Sequence, residues 1–373
     1  MTQFRIDKLA AMISVALWLA SCSGDGEQTA VDAPDALGSF AVGHSTFAVV
    51  DQQRGDRELE VDVWYPVDQA DATDGPFSQY VLQEPFTLSS EVAVDDLPVS
   101  SAGPFALLVF SHGFGGINTQ STQLMEALSS HGFIVASPQH TGNTALDSSD
   151  PMPGEKRVPD VSFVIDQMFE RASTPGDAFE GHIDESKVGV LGHSFGGSTA
   201  LGMVAGFAGA EPDPRVRVIG VIAGGVGPDN FSEAALATVT APTILLVGTL
   251  DTSAASNHDY VFSHLPNAEA LFDVRISGAT HTHFANVCAI GDFLLDLGLT
   301  QDDWPGVGAE ALIQPYNDTC TEGVFPISEA HRLENLYMVA HFKRYLLGER
   351  GYDRYLSSRY AQDNEPAVSF VAR

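Results

Sequence analysis

From Phe105 onward, short apolar runs alternate with segments of helical spacing, and this alternation restricts the possible folds more than any other feature of the chain. Apolar runs of this length are typical of strands that are buried on both faces. Strands that alternate with helices predict an α/β fold, in which helices cover both faces of a mostly parallel, twisted sheet. The predicted strands are Phe105–Phe110, Phe133–Ala136, Lys187–Leu191, Val216–Ile222, Thr243–Val247 and Leu271–Ile276, and the predicted helices are Thr122–Ser130, Asp160–Arg171, Ser198–Gly206 and Ser328–Leu347.

Two further strand-like runs precede this alternation. Ser45–Val50 and Leu59–Tyr65 are separated by a turn-rich stretch, Asp51 to Gly55, and this pattern predicts an antiparallel hairpin at one edge of the sheet. No linker interrupts the pattern between Phe105 and Leu347. We therefore predict a single domain over residues 39–373.

The N-terminus has the composition of an export signal. Arg5 and Lys8 precede an apolar run, Leu9 to Ala20, which is too short for a stable membrane span but typical of a signal-peptide core. The run ends in Leu-Ala-Ser-Cys, which resembles the lipobox of bacterial lipoproteins and implies a signal peptide over residues 1–21 and a lipid on Cys22. Ser23 resembles the residue that directs such proteins to the outer membrane. An ordinary cleaved signal with release of the protein is the alternative, and the Gly-, Asp- and Ala-rich stretch 22–38 is predicted to be a flexible tether.

The chain is strongly acidic, with 49 acidic and 18 basic residues and a formal net charge of −31. Such a charge repels nucleic acids, so a DNA- or RNA-binding function is excluded. Only four of the basic residues are lysines. One interpretation is simple solubility; the other is adaptation to high salt, in which counterions screen the repulsion between carboxylates.

The strongest local motif is Gly-His-Ser-Phe-Gly, at positions 192–196, between a predicted strand and a predicted helix. A sharp turn in this context lifts a serine hydroxyl above the sheet, and glycines on both sides allow the backbone to approach closely. The amides at the start of the following helix point towards the same place. Ser194 is therefore the predicted nucleophile, whereas His193 and Phe195 are interpreted as packing side chains.

A second motif, Ser-His-Gly-Phe-Gly-Gly at positions 111–116, directly follows the strand Phe105–Phe110. A glycine-rich loop at this point can turn a main-chain N–H towards the nucleophile. We predict an oxyanion hole made by the amides of Phe114 and Phe195, with His112 holding the loop. The alternative is a plain turn between a strand and a helix.

A nucleophilic serine requires a base and an acid, and two later segments supply candidates. Asp251 lies just after the strand Thr243–Val247, and His281 and His283 follow the strand Leu271–Ile276. The order Ser, Asp, His along the chain is the order in which α/β hydrolases carry their triad. We predict Asp251 and His281 as the partners of Ser194, with Asp229 as the alternative acid and His283 as the alternative base.

Apart from Cys22, the sequence contains only Cys288 and Cys320. In an oxidising compartment an even pair predicts a disulfide, which would contribute roughly 3–4 kcal/mol by closing a loop of about 30 residues. Two free thiols are the alternative. Most of the acidic segment 289–327 lies between these cysteines, and it has two interpretations: a disulfide-pinned cap over an acyl pocket, or a peripheral insertion. Its distinctive residues are Asp292, Asp296, Asp302, Asp303, Trp304 and Asp318.

Together these motifs make residues 40–290 resemble serine esterases of the α/β-hydrolase superfamily. Val63-Trp64-Tyr65-Pro66, the loop at 111–113, the segment 192–197 and the stretch 281–285 are similar to bacterial platelet-activating-factor acetylhydrolase-like and dienelactone-hydrolase-like proteins. The spacing from His281 to Phe284 within this pattern favours His281 as the base. The segments around Asp251 and His281 resemble polyester hydrolases and cutinase-like lipases.

The resemblance implies hydrolysis of short or truncated acyl esters through a Ser-His-Asp triad, without a metal or an organic cofactor. A polyester hydrolase or lipase with the same triad is the first alternative. A peptidase and a catalytically silent surface-binding module are the others, and the presence of all three triad residues disfavours the silent module.

Overall fold

The computed structural model describes residues 31–83 and 86–373. The predicted signal peptide and Cys22 lie outside these residues, and so do positions 22–30 of the predicted tether. Residues 31–373 form one compact unit. In the described ranges, no helix combines the length and the apolar character needed to cross a membrane.

An 11-stranded sheet runs through this unit, as counted over the described residues. Its strands are β1 (Ala41–Asp51), β2 (Arg57–Val67), β3 (Phe77–Gln83), β4 (Phe86–Asp95), β5 (Phe105–Ser111), β6 (Phe133–Pro138), β7 (Ile183–His193), β8 (Val216–Ile222), β9 (Thr243–Gly248), β10 (Leu271–Ile276) and β11 (Val368–Ala372). The spatial order is β11-β10-β9-β8-β7-β5-β6-β2-β1-β4-β3. Strands β5 to β10 pair with one another in parallel, which confirms the predicted parallel centre.

Outside this centre the pairings are antiparallel except for that of β1 with β4, which is parallel. β1 and β2 form the predicted hairpin, and β2 pairs antiparallel with β6. β3 pairs antiparallel with β4, and β11 pairs antiparallel with β10. Of these, β3, β4 and β11 were not predicted from the sequence. The sheet is therefore mixed, with the parallel strands in the middle.

Helices cover both faces of the sheet. They are α1 (Thr122–Ser130), α2 (Gly154–Ser173), α3 (Phe195–Ala205), α4 (Glu233–Leu236), α5 (Thr252–His264), α6 (Val287–Asp296), α7 (Ile313–Thr319), α8 (Ile327–Tyr345) and α9 (Ser358–Asn364). Alternate residues of β5 separate the core into two layers: Leu108 and Phe110 pack with α1 and α8, whereas Leu107 and Val109 pack with α2 and α3. This alternation is the two-residue period of a strand that is buried on both faces.

The described part of the predicted tether, residues 31–38, lies against the domain. Asp35 forms an ion pair with Arg332 of α8, at 2.9 Å. The carbonyl of Ala36 accepts a hydrogen bond from His131 Nε2 at 2.9 Å, and the amide of Gly38 donates to Ser130 Oγ at 2.8 Å. These contacts attach the segment to both ends of the α1–α8 layer.

Candidate active site

Ser194 occupies a sharp turn between β7 and α3. Its backbone has φ 56° and ψ −116°, a conformation that costs free energy for a residue other than glycine. The Ser194 amide donates to the carbonyl of Ile222 at 2.8 Å, which helps to fix the turn. A Cβ atom on Gly196 would lie 1.7 Å from the Ser111 carbonyl oxygen, so this position requires glycine. The turn therefore places the Ser194 hydroxyl at the carboxyl ends of the parallel strands.

His281 and Asp251 lie in line with this hydroxyl. His281 Nε2 is 2.9 Å from Ser194 Oγ, and His281 Nδ1 is 2.5 Å from Asp251 Oδ2. Asp251 follows β9 and begins α5, where its other carboxylate oxygen accepts a hydrogen bond from the Ala254 amide at 3.1 Å. The structure thus brings together three residues that are far apart in the sequence.

The protonation state of Asp251 fixes the direction of the hydrogen bonds in this chain. Burial raises the pKa of the Asp251 carboxyl, but hydrogen bonds from His281 and from the Ala254 amide outweigh burial and hold that pKa below its usual value. An ionised carboxylate can only accept hydrogen bonds, so His281 Nδ1 carries a proton and donates a hydrogen bond to Asp251. His281 Nε2 is then an acceptor, and the Ser194 hydroxyl donates to it.

The two alternative residues are placed differently. His283 is fully buried, its Nδ1 accepts a hydrogen bond from the Thr280 amide at 2.9 Å, and its Nε2 donates to the Phe325 carbonyl at 2.9 Å. Asp229 is exposed in the loop after β8. Of the candidate acids and bases, His281 is the one that contacts Ser194, and Asp251 is the one that contacts His281.

The loop after β5 lies beside the nucleophile. A Cβ atom on Gly113 would lie 3.5 Å from Ser194 Cβ, so the backbone of Gly113 passes directly over the serine. The next amide, that of Phe114, and the first amide of α3, that of Phe195, donate no hydrogen bond to another described residue. Two free N–H groups beside a nucleophile are what an oxyanion hole requires.

Arg157 of α2 holds this loop from behind, and the sequence pattern did not single it out. The side chain is fully buried, and it donates to the carbonyls of His112 at 2.5 Å and Gly113 at 3.0 Å and to Asn143 Oδ1 at 2.5 Å. Its guanidinium also lies 4.8 Å from the centre of the Phe195 ring. Burial lowers the pKa of Arg157 to about 9, which still leaves it charged at neutral pH.

The contact of Arg157 with the Gly113 carbonyl bears on the orientation of the next amide, that of Phe114. In a trans peptide the C=O and the following N–H point in opposite directions. His112 Nδ1 at 2.8 Å and the Gly116 amide at 3.1 Å donate to the same oxygen as Arg157. Three donors on the Gly113 carbonyl therefore fix the direction of the Phe114 N–H. His112 holds the loop in the way predicted from its position.

A second polar chain joins the loop to the histidine turn. The Gly113 amide donates to Gln120 Oε1 at 2.9 Å, Gln120 Nε2 donates to His193 Nδ1 at 3.0 Å, and His193 Nε2 donates to the His281 carbonyl at 2.8 Å. Burial and then the neighbouring His281 lower the pKa of His193 to about 3, so the ring is neutral with its proton on Nε2. His193 was interpreted as a packing residue, and its hydrogen bonds add a positioning contact to that interpretation.

A cleft of about 510 Å³ opens onto Ser194 and His281. Phe114 and Leu146 lie at its exposed rim, with 67% and 55% of their surface accessible. Much of the remaining lining comes from the segment around the Cys288–Cys320 disulfide, which the structure contains as predicted. The described residues contain no cluster of three or more His, Cys, Asp or Glu side chains arranged to hold a metal ion.

Comparisons with known proteins agree with this architecture. The chlorophyllase family model matches residues 93–245. Cutinase 1 of Thermobifida cellulosilytica is 27% identical over 48% of this chain and 60% of its own length, and a platelet-activating factor acetylhydrolase of Cavia porcellus is 24% identical over 28% of this chain and 33% of its own length. The matches thus span between a third and three-fifths of these curated relatives.

A solved structure of a ferulic acid esterase from Streptomyces cinnamoneus superimposes with a TM-score of 0.63 and 23% sequence identity. The superposition covers 89% of this chain and 96% of that one. The chain therefore has the α/β-hydrolase fold, and the matched family and relatives fit an esterase of that fold.

Proposed function

We propose that this protein is a serine carboxylic-ester hydrolase with Ser194, His281 and Asp251 as its catalytic triad. The observation that carries the proposal is the continuous hydrogen-bonded chain from Ser194 Oγ through His281 to Asp251. The amides of Phe114, next to Gly113, and of Phe195, next to Ser194, donate no hydrogen bond to a described residue and are the proposed oxyanion hole. The same proposal gains support from the cutinase and acetylhydrolase matches.

The proposal gives each group a role. His281 Nε2 takes the proton of Ser194 as its oxygen attacks the ester carbonyl, and Asp251 stabilises the resulting imidazolium. The amides of Phe114 and Phe195 bind the oxyanion of the tetrahedral intermediate. His281 then gives its proton to the leaving alcohol, and an acyl group remains on Ser194. Water, activated by the same histidine, releases the acid and restores the serine.

Hydrolysis of p-nitrophenyl esters tests this proposal. Ser194→Ala is expected to lower kcat by roughly 10⁶-fold in a protein that remains folded, because the nucleophile, the base and the acid act as a unit. Asp251→Asn is expected to cost about 10⁴-fold, since an amide at this position stabilises the wrong histidine tautomer. Asp229→Asn is the matched control and is expected to leave kcat unchanged. Near-normal turnover by Asp251→Asn would refute the assignment of the acid.

For the substrate, we propose short or truncated acyl esters, with polyesters as the second candidate. The acetylhydrolase match supports the first, and the cutinase matches support the second. Release of soluble acids from a polyester film, compared with turnover of p-nitrophenyl acetate, separates the two. Hydrolysis of the small ester without attack on the film would leave only the first candidate.

We also propose that the protein is exported and anchored by a lipid on Cys22. The support is the lipobox-like sequence before Cys22 and the Cys288–Cys320 disulfide, since structural disulfides persist in oxidising compartments. Labelled palmitate fed to expressing bacteria is expected to enter the wild type but not Cys22→Ala. Equal labelling of the two proteins, or none in either, would refute the anchor.

A further inference from the structure

The loop at residues 111–116, referred to below as the oxyanion loop, forms one part of the cleft wall, and residues 287–319, referred to below as the cap wall, form another. The side chains that it turns towards the cleft are apolar: Val287, Ile290, Leu294, Val307, Leu312 and Pro315. The acidic side chains of the same segment are exposed and do not line the cleft, as at Asp292, Asp296, Asp302, Asp303, Glu310 and Asp318. The segment is therefore amphipathic, with its carboxylates facing solvent and its aliphatic side chains facing Ser194 and His281.

Several contacts fix the cap wall internally. Trp304 is fully buried and packs edge-to-face on Tyr316, with ring centres 5.4 Å apart. Tyr316 OH donates to Asp292 at 2.5 Å, which joins α7 to α6. A Cβ atom on Gly291 would lie 2.1 Å from the Tyr316 ring, so the two helices meet without a gap at this point. The Cys288–Cys320 disulfide closes the segment at its base.

The cap wall is also bound to the catalytic turn. Thr319, next to Cys320, is 2.6 Å from Thr282 and 3.2 Å from Thr280 through their hydroxyl oxygens. These two threonines flank His281. The cap wall is thus held at a fixed distance from the base, so the size of the cleft is set before a substrate arrives.

The volume and lining of the cleft indicate its occupant. A volume of about 510 Å³ lies within the range of small-molecule sites, roughly 300–1,000 Å³, in which apolar walls bind and a few polar groups orient the ligand. The polar side chains that line the cleft all lie outside the cap wall: Gln120, Thr144, His193, Ser194, His281, Thr282 and Asn286. The cap wall offers an adjoining apolar group only dispersion contacts and removal from water, and both increase with the length of that group.

We propose that the cap wall is the specificity determinant of this enzyme and selects esters that carry an extended apolar group, an acyl chain of intermediate length or an aromatic ring, over acetyl esters of small alcohols. This inference rests on the proposed ester hydrolysis. It narrows the substrate class of the same site. The shared chemistry is an apolar substituent on one side of the ester bond, and two substrate series determine on which side it lies.

The test compares three variants with the wild type. Ile290→Trp fills the cleft from α6, and Leu312→Trp fills it from the turn before α7. Leu295→Trp is the matched control, because Leu295 lies on the same helix as Ile290 but is exposed outside the cleft. The first series varies the acyl chain of p-nitrophenyl esters from acetate through octanoate to palmitate. The second varies the alcohol of acetate esters from methyl to octyl and benzyl.

We expect kcat/KM of the wild type to increase from acetate to octanoate in the acyl series, or from methyl to octyl in the alcohol series. Ile290→Trp and Leu312→Trp are expected to lower the preference for the longer substrate by about tenfold, since each blocks the burial of several methylene groups. Leu295→Trp is expected to retain the preference of the wild type. Thermal unfolding and turnover of p-nitrophenyl acetate establish that each variant is folded.

An active wild type whose preference is the same in Ile290→Trp and Leu312→Trp, in both series, would overturn the inference and leave the proposed function standing. A folded wild type that hydrolyses no ester in either series would instead refute the proposed function itself. If one tryptophan variant does not fold, the other still tests the inference, because the two side chains enter the cleft from different parts of the cap wall.

Discussion

Replacement of Arg157 by lysine separates positioning of the oxyanion loop from folding. Arg157 donates to the carbonyls of His112 and Gly113 and to Asn143 Oδ1, with three bonds of 2.5–3.0 Å. Lysine retains the positive charge but has no planar fork, so it cannot reach all three acceptors. The Gly113 carbonyl then keeps two of its three donors, His112 Nδ1 and the Gly116 amide.

The expected magnitudes follow from these contacts. A hydrogen bond to a charged group contributes about 1.5–3 kcal/mol, and loss of one or two such bonds lowers the free energy of unfolding by about 2–4 kcal/mol. Complete loss of an oxyanion-hole donor lowers kcat by about 10²–10³-fold. Because the Phe114 amide loses only one of the three restraints on its direction, we expect kcat to fall about 10–100-fold. KM should change little, since the amide binds the oxyanion more strongly than the ground-state carbonyl.

Arg54→Lys is the control for Arg157→Lys. Arg54 donates at 2.6 Å to Asp160, a buried residue of the same helix as Arg157, but it does not contact the oxyanion loop. We expect it to lower stability while kcat stays near that of the wild type. The assays are urea unfolding and the kcat and KM for p-nitrophenyl acetate. A folded Arg157→Lys protein with the kcat of the wild type, or an equal loss of kcat in Arg54→Lys, would refute the positioning role.

Three further predictions concern pH, salt and the second polar chain. Burial lowers the pKa of His44, but hydrogen bonds from this ring to Asp62 and Asp95 outweigh burial and raise that pKa to about 9. The stabilisation that this shift gives to the folded state is complete below the unfolded pKa of about 6.5. It is lost as pH rises through about 9. Urea unfolding is therefore expected to show a loss of up to about 3 kcal/mol between pH 6 and 10, and an equal loss in His44→Gln would contradict this assignment. The net charge of −31 predicts a higher Tm in 1–2 M KCl, where the Debye length falls to about 3 Å or less, and a Tm that falls with salt would refute the interpretation of the acidic surface as salt adaptation. Gln120→Glu removes the donor to His193 Nδ1 and is expected to lower the free energy of unfolding by about 1–3 kcal/mol and to lower kcat as well. An unchanged kcat would show that the hydrogen bonds from Gln120 through His193 do not position the turn at His281.

The elements that the sequence predicted share one property: each is defined by its own residues. β5, β8, β9 and β10 are mostly apolar runs, and their observed bounds lie within one residue of the predicted ones. β3 and β4 lack such a signature because they mix polar and apolar side chains at the edge of the sheet, where one face is partly exposed. β11 is only five residues long and exists through its pairing with β10. Strands that depend on a distant partner leave little trace in a local pattern.

In the candidate site, too, some residues are indicated by a local motif and others only by contacts with distant residues. Ser194, Asp251 and His281 are indicated by short motifs placed at strand ends, where the fold brings functional groups together. Arg157 lies in the first turn of α2, three residues before the predicted start of that helix, and Gln120 lies in a loop without a motif. Arg157 binds residues 14–45 positions away, and Gln120 binds His193, 73 positions away, through contacts that only the folded chain defines. Sequence patterns thus miss these two polar side chains, which act through hydrogen bonds to distant parts of the chain.

His281 is the point at which these supports meet. Asp251 fixes its ring, His193 binds its carbonyl, and Thr319 of the cap wall binds the threonines on either side of it. A change confined to the cleft face of the cap wall, as at Ile290, leaves all of these contacts in place and should alter selectivity alone. A change that reaches Thr319 moves the base relative to Ser194, and a displacement of about 1 Å can cost roughly 10²-fold in rate. The selectivity and the turnover of this site are therefore separable in the middle of the cap wall and coupled at its disulfide-linked end.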